Sequence, residues 1–88
     1  MKSIESMQDD MIPACELDAR GLSCPLPVLR TKKAMDALSA GQVLKVVTTD
    51  PGSQNDLASW ARWTGNRLLR SDSESGTFTF FIQKSIKG

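Results

Sequence analysis

The chain has 88 residues, and its 11 basic and 10 acidic side chains leave a formal charge of +1. That length fits one small domain with a thin core, and 40% hydrophobic with 24% charged residues excludes a disordered chain. Near-neutral charge excludes a large net pull toward nucleic acid, leaving only local basic patches, and the absence of histidine excludes His-based catalysis and His-ligated metals.

Met1 to Pro13 carries Lys2, Glu5, Asp9 and Asp10 without a continuous apolar run. It reads as a polar tail, residues 1–13, ahead of a single domain over 14–86. A signal peptide is not expected there, because it needs a positive start followed by an apolar stretch. No segment approaches the roughly 20 apolar residues of a membrane span, so the expected compartment is the cytoplasm, where thiols stay reduced.

Cys15 to Ala19 alternates apolar and polar, the period of a half-buried strand. After the break at Arg20 to Ser23 a helical pattern begins, with Val28, Thr31, Met35 and Leu38 on one stripe and Ala34 at its edge. Gly41 stands where a left-handed residue would end the helix. Gln42 to Thr49 is apolar enough for a central strand. Asp50-Pro51-Gly52 forms a turn, and Ser53-x-x-Asp56 has the spacing of a capping box opening a second helix. That helix presents Leu57, Trp60, Ala61 and Thr64 on one face and stops at Gly65, with Trp60 and Trp63 expected in the core and at its rim. Arg67 to Ser71 and Thr77 to Gln83 read as strands joined by a turn over Asp72 to Gly76, with Phe78, Phe80 and Ile82 on one face. The expected fold is an α+β two-layer sandwich, β-α-β-α-β-β, with two helices on one face of a four-stranded mixed sheet.

Cys24-Pro25-Leu26-Pro27 lies at the first strand-to-helix junction. Prolines are tolerated in a first helical turn, where the N–H groups have no intrahelical partner. With Pro25 as the first helical residue, Cys24 is the N-cap, a position usually held by an oxygen-bearing side chain. A thiolate accepts N–H bonds better than a thiol, and a helix N-terminus favours the anion. Cys24, rather than the mid-strand Cys15, is therefore the expected reactive thiol, with a lowered pKa. The two cysteines lie too far apart along the strand to form a disulfide. Too few ligands exist for a zinc site, and Pro27 occupies the second position of any Cys-x-x-Cys. A nucleophile without a resolving partner suits a group carrier better than an oxidoreductase, and no cofactor is implied.

Asp50 follows a strand expected to adjoin the first. A carboxylate near a thiolate would raise its pKa, so Asp50 reads as a loop organiser, and Asp18 as an anchor for the Arg20-Gly21 turn. Leu26 and Leu29 fall on the polar side of the first helix, near Arg20, Arg30, Lys32 and Lys33. Leu29 with those cations forms a candidate docking rim. The competing reading is a non-catalytic regulatory or nucleic-acid- or protein-binding module, which would need an exposed basic or aromatic strand face.

The run Leu17 to Pro27, containing Gly21-Leu22-Ser23-Cys24-Pro25-Leu26-Pro27, followed by Thr49-Asp50-Pro51-Gly52, resembles the TusA/SirA/YedF family of sulfur-carrier proteins. The similarity runs from about Glu16 to Lys84 and includes Asp56, Leu57, Trp60 and Trp63. It implies a two-layer fold like the C-terminal domain of a bacterial translation initiation factor. It also implies that Cys24 receives sulfur from a cysteine desulfurase or another donor, holds it as a persulfide and passes it to an acceptor protein. A monomer acting without membrane or direct nucleic-acid contact is expected. Asn66 after Gly65 and the polar tail depart from the tRNA-thiolating branch, which leaves tRNA thiolation, sulfur oxidation and cofactor supply open as destinations.

Overall fold

Leu17 and Ala19 lie two residues apart and turn to the same side of the first strand, and each later strand repeats that alternation. In the computed structural model, which describes residues 12–85, the strands are β1 (Cys15–Ala19), β2 (Val43–Thr48), β3 (Arg67–Glu74) and β4 (Thr77–Gln83). Helix α1 (Leu26–Asp36) lies between β1 and β2, and α2 (Ser53–Thr64) between β2 and β3. Most of the polar segment 1–13 and the expected domain end at 86 fall outside the described residues.

The sheet has the order β1-β2-β4-β3. β1 pairs parallel with β2, whereas β4 pairs antiparallel with both β2 and β3. The register aligns Leu17 with Val46, Val46 with Phe80, and Leu44 with Ile82. These side chains share the helix-covered face. Met35, Leu44, Val46, Leu57, Phe80 and Ile82 form the buried cluster, with Leu17, Val28, Ala34, Leu38, Trp60, Leu68 and Phe78 packed around it. The expected α+β sandwich with a four-stranded mixed sheet is the observed fold.

Four local features differ from the sequence reading. α1 ends at Ala37, a right-handed C-cap, and Gly41 lies beyond it in the loop, where its N–H reaches the Lys84 carbonyl at 3.1 Å. The Lys84 ammonium donates to the Leu38 carbonyl at 2.6 Å, so a cation from the far end of the chain satisfies this turn. β3 continues to Glu74, and only Ser75 and Gly76 turn the hairpin, with φ of 52° and 81°. Two successive positive φ values are the signature of a type I′ turn, whose twist matches the strands. Trp63 is 89% exposed and belongs neither to the core nor to its rim. Pro27 is fully buried, so the second motif proline is core as well as helix opener.

The outer face of the sheet, opposite the helices, carries Glu16, Asp18, Asp72 and Glu74 beside Lys45, Arg67 and Arg70, with Phe81 among them. The Lys45 ammonium lies 6.0 Å from the centre of the Phe81 ring. With both signs interleaved, this face is no basic groove. No helix among the described residues is long and apolar enough to cross a membrane.

Phe80 is fully buried at the centre of the cluster, on the strand between β2 and β3. Phe80→Ala is expected to cost about 3–5 kcal/mol of stability, read from the midpoint of urea unfolding at unchanged slope.

Candidate functional site

Parallel pairing of β1 with β2 brings the loops that follow them to the same edge of the sheet. There the β1–α1 loop, residues 20–25, meets the β2–α2 loop, residues 49–52. Gly21 sits at φ +81°, a conformation costly to any side chain, and its N–H donates to the Thr49 hydroxyl at 2.9 Å. The Cys24 N–H donates to Asp50 Oδ2 at 3.0 Å, and Asp50 Oδ1 accepts the Gly52 N–H at 3.4 Å. One carboxylate thus braces its own turn and holds the backbone of the cysteine. Ser53, buried, donates from its hydroxyl to the Asp50 carbonyl at 2.6 Å and pairs with the buried Thr48 hydroxyl.

The start of α1 differs from the expectation. Leu26 is the first helical residue, and Pro25 is the N-cap, with no side-chain capping bond. Leu26 N–H turns back to the Ser23 carbonyl at 2.9 Å, and Leu29 N–H closes the first helical bond to Pro25 at 3.1 Å. The Cys24–Pro25 peptide is cis. Pro27 occupies the first turn, where its missing N–H costs nothing, and its carbonyl accepts the Thr31 hydroxyl at 2.7 Å.

Freed from the capping position, Cys24 Sγ turns toward α2 and donates to Asp56 Oδ2 at 2.9 Å. That contact reverses the expected electrostatics. The thiol pKa is raised, first by its hydrogen bond to Asp56, next by lost hydration, and then by the charges of Asp56 and Asp50. Asp56 was the residue missed as a site member. It also lacks the capping role expected of it, since Gly52 is the N-cap of α2 and no side chain caps that helix. The signal that could have found it was positional, because adjoining strands force the first turn of α2 against the Cys24 loop.

The other candidate residues are placed as follows. Asp18 accepts a two-pronged bond from Arg20, Nε to Oδ1 and the terminal nitrogen to Oδ2, both at 2.9 Å, and the Arg20 N–H at 3.1 Å. Arg20 is thereby occupied. Leu22 is half-buried, and Leu26 and Leu29 are exposed at 41% and 54%. Lys32 pairs with Asp36 at 3.8 Å, whereas Arg30 and Lys33 have no ion pair among the described residues. Cys15 is exposed at the start of β1, where the alternation placed it inside a half-buried strand, and both cysteines are free. Among the described residues, no set of three or more potential metal ligands converges.

A family model described as sulfurtransferase TusA matches residues 15–84. The chain belongs to the TusA family. It is 57% identical over 70 residues to the sulfur carrier protein TusA of Allochromatium vinosum, covering 80% of this chain and 92% of that one. It is 41% identical over 75 residues to the sulfur carrier protein TusA of Pseudomonas entomophila, covering 85% and 94%. The fold matches the crystal structure of a SirA-like protein from Desulfitobacterium hafniense with a TM-score of 0.71 at 29% identity, over 81% of this chain and 97% of that one. The TusA match spans both loops of the site, from Gly21 to Pro27 and from Thr49 to Asp56.

The Arg20 side-chain bond, with the backbone bond and the Arg20 charge, holds the Asp18 carboxyl down at about 2. A carboxylate whose folded pKa is depressed contributes stability above its unfolded value of about 3.9, and that contribution disappears as pH falls through the folded value. An NMR titration should place the Asp18 midpoint near 2, and Arg20→Ala should return it to the ordinary carboxylate range.

Proposed function

We propose that this protein is a sulfur carrier that accepts sulfane sulfur on Cys24 as a persulfide and relays it to an acceptor protein. The observation that carries the reading is an exposed thiol on a loop braced by Asp50 and Thr49, within the segment that the TusA family model matches. The curated relatives are named sulfur carriers. The other candidate, a non-catalytic regulatory or nucleic-acid- or protein-binding module, needs a basic or aromatic strand face, and the outer face here interleaves both charge signs around one aromatic ring, Phe81.

The transfer is a substitution at sulfur. Cys24 loses its proton, and its Sγ attacks the outer sulfur of a donor cysteine persulfide. The donor S–S bond breaks, and its electron pair leaves on the donor sulfur, which takes up a proton. A new S–S bond stands on Cys24, and no external oxidant or reductant is needed. Delivery repeats the substitution with Cys24 as the leaving group. A cysteine desulfurase fits the donor role, and a second protein's thiol the acceptor role. The protein acts as a monomer in the cytoplasm, where thiols remain reduced. Asp50, and Asp18 through its grip on Arg20, organise the loop, while Gly21, Leu22, Pro25, Leu26 and Pro27 shape its entry into α1.

Incubation with a cysteine desulfurase and cysteine should add the mass of one sulfur to the intact protein. Cys24→Ser should fold normally, since Cys24 caps no helix and a serine hydroxyl can keep the bond to Asp56, yet gain no sulfur. Equal uptake by Cys24→Ser would refute the reading.

A carrier must meet its partners at the thiol and leave them again, which calls for a small contact. The exposed Leu29, beside Arg30 and Lys33, which have no ion pair among the described residues, is proposed as that rim, with Arg20 and Lys32 at its margin. Arg30→Glu with Lys33→Glu should slow transfer from the desulfurase, most steeply at low salt, without changing the fold. Unchanged rates at low ionic strength would place the docking surface elsewhere.

A further inference from the structure

A carrier thiol that spends most of its time free in a cell faces a conflict. It must attack a donor persulfide readily, yet survive exposure to small electrophiles and oxidants, which react with thiolates. Cys24 is exposed, so steric shielding does not protect it.

We propose that Asp56 is a latch on the carrier thiol: its carboxylate takes the Sγ–H hydrogen bond and holds Cys24 neutral and unreactive until that contact opens. The inference rests on the carrier reading for its purpose, although the latch itself is defined by geometry. Asp56 Oδ2 lies 2.9 Å from Sγ, and an anionic acceptor strengthens such a bond. Asp56 stands in the first turn of α2, anchored by its own N–H to the Gly52 carbonyl at 3.1 Å, so the carboxylate is presented from a regular element. Asp50, from the β2–α2 loop, adds a second negative charge on the same side. Neither carboxylate has a salt bridge among the described residues, so no cation offsets them. The groups acting on the thiol are therefore Asp56 from α2 and Asp50 from the loop, with no opposing charge from α1.

The two carboxylates do different work. Asp50 is committed to the Cys24 and Gly52 N–H groups and fixes the backbone. Among the described residues, Asp56 is the hydrogen-bond partner of the sulfur. Rotation of the Asp56 side chain away from Sγ would release the thiol without disturbing the loop, because none of the braces at Asp50 or Thr49 passes through it. Asp56 is thus a positioning residue whose effect is read on the protonation of Cys24.

The test is the pH dependence of Cys24 alkylation by iodoacetamide, in a Cys15→Ser background so that one thiol is followed. Asp56→Asn should move the profile to lower pH and speed alkylation at pH 7 by about three- to tenfold, with the same plateau rate at high pH. Asp56→Glu, which keeps the charge, should stay near the parent profile. Asp50→Asn should shift the profile less than Asp56→Asn. An unchanged or slower rate in Asp56→Asn, or equal acceleration in Asp56→Glu, would overturn the latch. Sulfur uptake from a cysteine desulfurase, followed by intact mass on the same proteins, separates the two ideas. Uptake without the profile shift leaves the carrier and removes the latch, whereas the shift without uptake leaves the latch and removes the carrier.

Discussion

A backbone N–H just ahead of a helix has no partner inside that helix, and the N–H of Cys24 finds one in Asp50, 26 residues further along the chain. The bond is available because β1 and β2 are parallel neighbours whose C-terminal ends open onto the same edge. Gly21 and Thr49 add a second tie across the same gap. With the loop held at both places, the cysteine backbone keeps one orientation relative to α2, and its Sγ lies within reach of Asp56. Removing the parallel pairing would separate the thiol from both carboxylates at once. The site is therefore a property of sheet topology as much as of the motif around Cys24.

The competition at Cys24 is settled by distance and charge. A helix N-terminus carries about half an elementary charge, spread over several N–H groups and felt mainly within the first turn. It acts on a side chain only where that side chain points back at those groups. Here Pro25 intervenes as N-cap, and Sγ points instead at a full negative charge 2.9 Å away. The carboxylate wins, and the thiol is held in its protonated form.

Much of this fold was legible in the sequence because period-2 and period-3.6 patterns report burial directly. Leu44, Val46, Phe80 and Ile82 are buried where the alternation puts them, and Thr31 and Met35 where the helical stripe does. The place of Cys24 at the β1–α1 junction was legible as well, since two prolines in so short a span have few places to go, whereas its expected N-cap position falls to Pro25. Misread features share one cause, which is that each depends on a partner far along the chain. Ser53-x-x-Asp56 looks like local capping until the Cys24 loop arrives to claim the acid. The α1–β2 turn looks like a glycine cap until Lys84 reaches the Leu38 carbonyl. Trp63 looks like core by type, and only the placement of α2 over the sheet shows that its position faces outward. Ser75-Gly76 was hidden inside a longer polar run, because strand residues on an edge need not be apolar.

The strand order carries a consequence for how the chain acquires its structure. β4 lies between β2 and β3 yet follows both in sequence, so the sheet cannot be completed in the order of synthesis. While a ribosome is still extending the chain, β1, α1, β2 and α2 can assemble, but β2 keeps an unpaired edge and β3 has no neighbour. Phe80 and Ile82, two of the six residues of the buried cluster, are delivered together when β4, tied to β3 across Ser75-Gly76, docks on the open edge of β2. Pairings of this kind are long-range and slow to close, and an open edge invites another chain. The edge of β2 stays open until β4 pairs with it, and the tight hairpin turn, which lets β4 pair with β3 locally, shortens the step that closes it.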